Sequence, residues 1–298
     1  MKNQYFGDAG DYGKYGMLRF LAKNDIKIAV NWYLTGDDGS NDGRHISYLQ
    51  DYRMSCYDEE LFELLKGMVE SGERNIKKFE EKNVIAGASY FSDLLKVTGN
   101  SRTEKQERRR KWHEKALDAC AGAELVFLDP DNGACDAEPS TLKDSVKYCY
   151  ADEIADYYER GQNVVYYCSK GRRSYHDWEN TKSLMQHRLP EAKLAIITFH
   201  KGTQRSYIFV IHKEDFRRYS QLLRMFLRKW PKLFTEEPGF VGSLNGEKTG
   251  EKFHVKSSTG VELTLEEGED GWISFARSDI KGSTMKISID DFVGRFSW

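Results

Sequence analysis

The sequence contains no apolar run approaching the 18 residues of a membrane-spanning helix, and its N-terminus lacks the apolar segment of a secretory leader. No membrane partner is expected, and a cytoplasmic protein is. The five cysteines (Cys56, Cys120, Cys135, Cys149 and Cys168) are widely spaced and odd in number, and none form a CxxC pair. That spacing excludes a disulfide framework and a zinc knuckle, and points to reduced, mostly buried thiols. Charge of either sign is not in excess, since 45 basic residues face 47 acidic ones for a net charge of −2. A near-neutral chain has no whole-molecule field to attract a polyanion, so nucleic-acid affinity must come from local patches. GxSxG, HExxH and GxxxxGK[ST] are all absent, which removes the usual hydrolase, zinc-protease and P-loop readings. His176, His200 and His212 do not have metal-ligand spacing, and no internal repeat or low-complexity tract occurs.

What is present suffices for a sizeable core: 298 residues, 39% hydrophobic and 13% aromatic, enough for one large domain and a small one. Apolar periodicity alternates between helical and strand-like runs. Helices are predicted over 14–23, 58–70, 73–82, 91–97, 101–120, 151–160, 174–188 and 214–229. Ser101 or Thr103 serves as a cap for the longest of them, with Glu104 behind it. Strands are predicted over 26–35, in "AELVFLDPDNG", in "GQNVVYYCSKG" and in the pair 194–199 and 205–212. Strands alternating with helices imply an α/β fold with a mostly parallel sheet of about seven strands. Only "HKGTQ" separates the last two strands, so they should pair antiparallel. After Pro238 the sequence turns to short alternating runs rich in Gly, Ser and Thr. The expected organisation is an α/β domain over 1–235 and a small antiparallel β module over 241–298.

Three loops fall at the carboxyl edge of the predicted sheet, where open α/β folds bind ligands. These are "GDDGSNDG" (36–43), "DPDNG" (129–133) and "SKGRRSYHDW" (169–178). Asp129 is delivered to that edge by four apolar residues, with Pro130 fixing the turn. Asp131 and Asn132 follow at once. Lys170, Arg172, Arg173, Tyr175 and His176 offer base and aromatic groups of the kind that hold phosphates and stack bases. Arg108, Arg109, Arg110 and Lys111 spread around their helix and read as a solvated surface. The chain opens on "GDAGDYGKYGMLRFL", with four glycines and two aspartates within residues 7–16.

This order of pieces resembles the class I Rossmann-like S-adenosylmethionine (SAM)-dependent methyltransferases. It is most similar to the branch holding the bacterial large-subunit ribosomal RNA adenine-N6 methyltransferases and the three-Cys-motif partner proteins. Lys14 and Tyr15 stand where that family has a Lys-His pair, and "LVFLDPDNG" stands where its acid-Pro-Pro-aromatic motif closes a middle strand. The resemblance covers about residues 4–230. It implies a Rossmann-like methyltransferase fold with a terminal antiparallel hairpin. It further implies a SAM site formed by Gly7, Asp8, Asp11, Lys14, Tyr15, Gly36, Asp37, Asp38 and Gly39. Asp129, Asp131, Asn132 and Lys170 would carry the chemistry, and Arg172, Arg173, Tyr175 and His176 a nucleic-acid substrate. Two other functions stay open. The acidic residues Asp8, Asp11, Asp37, Asp38, Asp42, Asp129 and Asp131 would suit Mg²⁺ or Mn²⁺ in a metal-dependent nuclease or phosphodiesterase, of a defence or mobile-element kind. A non-catalytic module that binds a nucleotide or a partner is the third reading.

Overall fold

The computed structural model describes residues 1–37, 39, 43–136, 145–171 and 173–237, together with five strands between 246 and 288. Asp38, Asp42 and Arg172 lie outside the described residues. The chain divides into two compact units, Met1–Thr235 and Glu236–Trp298.

The first unit is built on a mixed sheet of seven strands. In chain order these are β1 (Ile28–Asn31), β2 (Ser89–Phe91), β3 (Leu125–Leu128), β6 (Asn163–Ser169), β7 (Lys193–Phe199), β8 (Arg205–Ile211) and β9 (Phe234–Glu236). Two further short strands, β4 (Gly133–Cys135) and β5 (Tyr148–Tyr150), pair parallel in a separate two-stranded sheet. The order across the large sheet is β2-β1-β3-β6-β8-β7-β9. Strands β2, β1, β3 and β6 run parallel, whereas β8 is antiparallel to both β6 and β7. The short turn after β7 therefore makes the expected hairpin, and β8 lies between β6 and β7. The order reverses between β1 and β3, which makes the carboxyl ends of those two strands the switch point of the sheet. All four residues of β3 are buried, as a central parallel strand requires.

Helices α1 (Ala9–Ala22), α2 (Glu59–Glu70), α3 (Ile76–Glu81), α4 (Arg102–Ala119), α5 (Ala151–Glu159), α6 (Tyr175–Arg188) and α7 (Phe216–Lys229) flank the sheet. Their starts follow the capping chemistry of the sequence. Ser101 accepts from the Glu104 amide at 3.1 Å, Asp58 from Leu61 at 3.1 Å and Ser174 from Asp177 at 3.1 Å.

Three expectations need correction. Helix α1 begins at Ala9 rather than near residue 14, because Asp8 caps it by accepting from the Asp11 amide at 2.9 Å. Most of the glycine-rich opening is thus helix and not loop. Strand β1 ends at Asn31, well short of 35. There the Asn31 side chain accepts from the Tyr33 amide at 3.2 Å, and Tyr33 adopts a left-handed backbone with φ of 45°. No helix forms over 91–97. Phe91 closes β2, and the Leu95 amide donates to the Leu34 carbonyl at 2.8 Å instead of to a helical partner.

The glycines of α1 act by being small. Gly10, Gly13 and Gly16 recur every third residue and face Arg205, the Phe199 ring and the Trp230 ring. A Cβ on Gly13 would come within 2.6 Å of Phe199, and one on Gly16 would overlap the Trp230 ring outright. The helix consequently seats closer to β7, β8 and α7 than a helix carrying side chains on that stripe.

The second unit is a five-stranded antiparallel meander, β10 (Gly246–Thr249), β11 (Lys252–Lys256), β12 (Glu262–Glu267), β13 (Trp272–Arg277) and β14 (Thr284–Ser288), paired in sequence order. The register sets Phe253 opposite Leu265, Leu265 opposite Phe275 and Phe275 opposite Met285.

Two glycines predict opposite outcomes. Gly16→Ala should destabilise the protein by about 1–3 kcal/mol, because overpacking against a rigid indole outweighs the roughly 1 kcal/mol gain in helix propensity. Gly67, in α2, has open space around it, so Gly67→Ala should stabilise by about 0.5–1 kcal/mol. Urea denaturation of both variants measures the two signs, and a stabilised Gly16→Ala would contradict the packing described.

Candidate functional site

The carboxyl edge of β1 and β3 opens into a cavity of about 340 Å³. That volume lies within the range of small-molecule sites. Its walls come from the N-terminal residues, α1, the Asp129–Asn132 segment after β3, the end of β6 and the β7–β8 hairpin.

Lys14 is the centre of the wall formed by α1. Its ammonium lies 2.7 Å from Asp11 Oδ1 and 2.7 Å from Asp129 Oδ2, and all three side chains are about 95% buried. The rings of Tyr15 and Trp32 lie 5.0 and 5.6 Å from the same nitrogen. Burial by itself would lower the Lys14 pKa, but the two carboxylates reverse this and hold it above its ordinary value. Asp11 is the strained partner. Burial and the nearby Asp8 and Asp129 charges raise its pKa against the pull of Lys14. Its second oxygen accepts from the Tyr15 hydroxyl at 3.0 Å and from the Gly7 amide at 3.0 Å. Gly7 meets that demand with a left-handed φ of 79°.

Asp8 serves twice. Besides capping α1, its carboxylate receives both Nη atoms of Arg205, at 2.8 and 2.6 Å, from the first residue of β8. Burial would raise the Asp8 pKa, yet the Arg205 hydrogen bonds and charge outweigh it and lower the value.

Asp131 lies on the opposite wall. Its carboxylate is 93% buried and stands 2.9 Å from the Met1 ammonium and 4.0 Å from Lys2 Nζ. The same ammonium donates to the carbonyls of Asp129 at 2.9 Å and Tyr33 at 3.2 Å. Despite this ion pair, neither Asp131 oxygen receives a hydrogen bond of good geometry. Buried acceptors of that kind are costly unless a ligand or water meets them. The Asn132 amide donates to the Lys147 carbonyl at 2.9 Å, which ties this segment to the start of β5.

The structure thus gathers Asp8, Asp11, Lys14, Asp129, Asp131 and Asn132 around one cavity. Tyr15 and Gly7 sit behind it, bonded to Asp11. Other expected site residues lie elsewhere. Asp37 is exposed and accepts from the Gln4 amide at 3.1 Å, and Gly36 and Gly39 do not line the cavity. Lys170 lies over the Trp178 ring at 5.7 Å, and Arg173 donates to the Ser169 carbonyl. Tyr175 and His176 open α6 in the backbone. Conversely, Lys2, His45, Lys147, Thr203 and Arg205 line the cavity without having been singled out in the sequence. Arg205 had a readable signal, as a basic residue at the hairpin on the ligand edge.

Of the other basic runs, Arg109 is not a surface residue. Its guanidinium is buried and donates to both Glu153 oxygens, at 2.6 and 2.9 Å, and to the Tyr148 carbonyl at 2.7 Å. Arg108, Arg110 and Lys111 are paired with Glu104, Glu107 and Glu114 along the same helix, as a solvated face would be. Among the described residues, no group of three or more His, Cys, Asp or Glu side chains is placed to hold a metal ion. No described helix is long and apolar enough to cross a membrane.

Asp129 therefore cannot be removed without cost, contrary to what an exposed loop carboxylate would suggest. Lys14→Met leaves two buried carboxylates uncompensated and should destabilise by about 3–5 kcal/mol. Asp129→Asn leaves Lys14 paired with Asp11, so a smaller loss of about 1–3 kcal/mol is expected. Denaturation of both variants tests this order, and equal stability with wild type would refute the buried pair. A pH series tests Asp8. Its depressed folded-state pKa gives stability that is present above the unfolded value of about 3.9 and is lost as pH falls through the folded value. The stability gap between wild type and Asp8→Asn should therefore stay constant from neutral pH to about 5 and narrow only below about pH 4, and a gap that stays constant there too would speak against the Arg205 pairing.

No protein-family model matches the sequence, and no curated protein matches it. Among solved structures, the chain is similar to the crystal structure of a Legionella pneumophila protein carrying the family designation DUF519. The two are 13% identical, and the match covers 78% of this chain and 96% of that one with a TM-score of 0.41.

Proposed function

We propose that the first unit is a SAM-dependent methyltransferase-like domain acting on nucleic acid, with the cavity at the β1–β3 switch point as its cofactor site. The observation that carries this reading is the buried Asp131 carboxylate, which lines the cavity and, beyond its ion pair with the Met1 ammonium, receives no hydrogen bond of good geometry. A ribose diol or an amino group supplies the missing donors, and SAM has both. Lys2 and Lys147 line the same cavity and suit its carboxylate. Supporting the reading further, the chain runs β6, α6, the β7–β8 hairpin and α7 in the order that the resemblance implies.

When bound, SAM supplies an electrophilic methyl group to a nucleophilic atom of the acceptor, leaving a thioether and a released proton. The chain's own part is positioning. Asp129 has one oxygen committed to Lys14, and its other oxygen orients a donor group of the acceptor. Lys14 holds that carboxylate in place. Arg205 and Asp8 lock the hairpin against α1 and so set the width of the cavity.

A metal-dependent nuclease needs carboxylates with charge to spare. Here the four carboxylates that line the cavity already have cationic partners, although Asp11 and Asp129 share one: Asp8 with Arg205, Asp11 and Asp129 with Lys14, and Asp131 with the Met1 ammonium. Binding a divalent ion would require breaking these pairs.

Titration calorimetry tests the proposal. SAM should bind with heat that is unchanged by chelator, and Asp131→Asn should weaken binding by roughly tenfold, the worth of one hydrogen bond to a charged group. If SAM gives no heat while Mn²⁺ binds and Asp8→Asn abolishes that binding, the metal reading replaces this one.

A further inference from the structure

We propose that the exposed face of α7 is a docking surface for the phosphodiester backbone of a nucleic acid. The proposal rests on the nucleic-acid part of the function above and names the surface that would hold the substrate. Between Phe216 and Phe234 the chain has six basic residues and no acidic one, in a protein whose total charge is −2. Arg217, Gln221, Arg224 and Arg228 follow at spacings of four, three and four, which places them along one side of the helix, and all are exposed. Arg217 and Arg228 are separated by roughly 16 Å of helix axis, a span that covers successive phosphates of a strand. Lys229 and Lys232 extend the stripe.

Cations on α7 differ from those on α4 in what neutralises them. On α4 the basic residues meet glutamates three or four residues away. On α7, among the described residues, Arg218 alone of the basic residues is in an ion pair, with Glu124 at 3.0 Å, and it also donates to the Asp25 carbonyl at 3.1 Å. Arg217, Arg224, Arg228, Lys229 and Lys232 have no ion pair among the described residues. Uncompensated charge of one sign in a row costs self-repulsion, which a polyanion relieves through counterion release.

The stripe also leads to the cavity. The Leu233 carbonyl, just past α7, accepts from the His200 amide at 2.9 Å, and His200 immediately follows β7. Thr203 and Arg205, a few residues on, line the cavity. The end of α7 carrying Arg228 and Lys229 thus lies at the sheet edge where the cavity opens. An anionic membrane is the competing partner for a basic helix. It is disfavoured because the apolar side of α7 (Tyr219, Leu222, Leu223 and Phe226) is already buried, leaving no face to insert.

The test uses fluorescence anisotropy with a labelled oligouridylate of about 15 nucleotides and a mixed-sequence DNA duplex. Wild type should bind at low salt. The triple variant Arg217→Glu, Arg224→Glu, Arg228→Glu should lose at least about tenfold in affinity, and its slope of log affinity against log salt should flatten by about two. Substituting lysine at the same three positions should keep affinity within about threefold, since phosphate here sees point charges. A control triple on and beside α4, Lys96→Glu, Lys111→Glu and Lys115→Glu, makes the same charge change and should leave binding nearly intact. Equal losses in the two triples, or no binding by wild type to either nucleic acid, would overturn the proposal. So would arginine-dependent binding to phosphatidylserine vesicles without binding to oligonucleotides. Should the glutamate triple fail to fold by circular dichroism, the glutamine triple replaces it with the salt slope as readout. SAM calorimetry on the same variants separates the two claims. Absent SAM heat with arginine-dependent RNA binding sinks the methyltransferase reading alone, and the converse result sinks only this one.

Discussion

One ammonium group organises the candidate site. Lys14 extends from α1 to the end of β3, where its charge is shared by Asp11 and Asp129 in surroundings that exclude water. A charge so buried is tolerable only when fully paired. The demand fixes the first helix against the middle of the sheet at the place where the strand order reverses. Two carboxylates for one cation leave an excess negative charge, and the structure answers it locally. The Tyr15 hydroxyl and the Gly7 amide both donate to Asp11, yet the Asp11 pKa still rises. Two other charge pairs repeat the pattern, Asp8 with Arg205 from β8 and Asp131 with the Met1 ammonium. Three walls of the cavity are thus joined by three ion pairs.

These pairs depend on distance, and distance depends on glycine. Arg205 lies directly against Gly10, where a Cβ would collide with its guanidinium. Any larger residue at Gly10 would push Arg205 off Asp8. Phe199 and Trp230 occupy the corresponding spaces at Gly13 and Gly16. A helix normally loses stability by carrying several glycines. Here the loss is offset by close packing against aromatic rings, and by an arginine brought within bonding distance of a helix cap.

The architecture was largely legible in the sequence, because buried strands such as Leu125–Leu128 and capped helices such as Arg102–Ala119 carry strong local signals. The terminal hairpin followed from the length of one turn. The glycine-rich opening was misread because glycine and aspartate favour turns by local propensity. What overrides that propensity is tertiary: an aspartate that caps the helix and a stripe that packs against residues some two hundred positions away. The short strand β1 was overestimated for a similar reason, since the Asn31 side chain turns the chain by bonding to the next residue but one. Within the site, Asp129, Asp131 and Lys14 were identifiable by position and type, but their mutual burial was not. Ion pairs spanning 115 residues leave no periodic trace in a single sequence. The "SKGRR" loop drew attention by composition, whereas the structure sets Lys170 over Trp178 and Lys170 does not line the cavity.

The small net charge of the molecule hides an uneven distribution of its charges. The cavity lining carries both signs in near balance. On α4 the two signs alternate at helical spacing, so the surface is polar but electrostatically quiet. On α7, Arg217, Arg224, Arg228 and Lys229 have no ion pair among the described residues, and Arg218 is answered by Glu124. Screening confines such a field to within about 10 Å at ordinary ionic strength. The field of the stripe is therefore felt beside α7 and hardly at all on the far side of the domain. The overall charge of −2 hides this arrangement completely, because acidic residues elsewhere cancel it in the sum but do not cancel it in space.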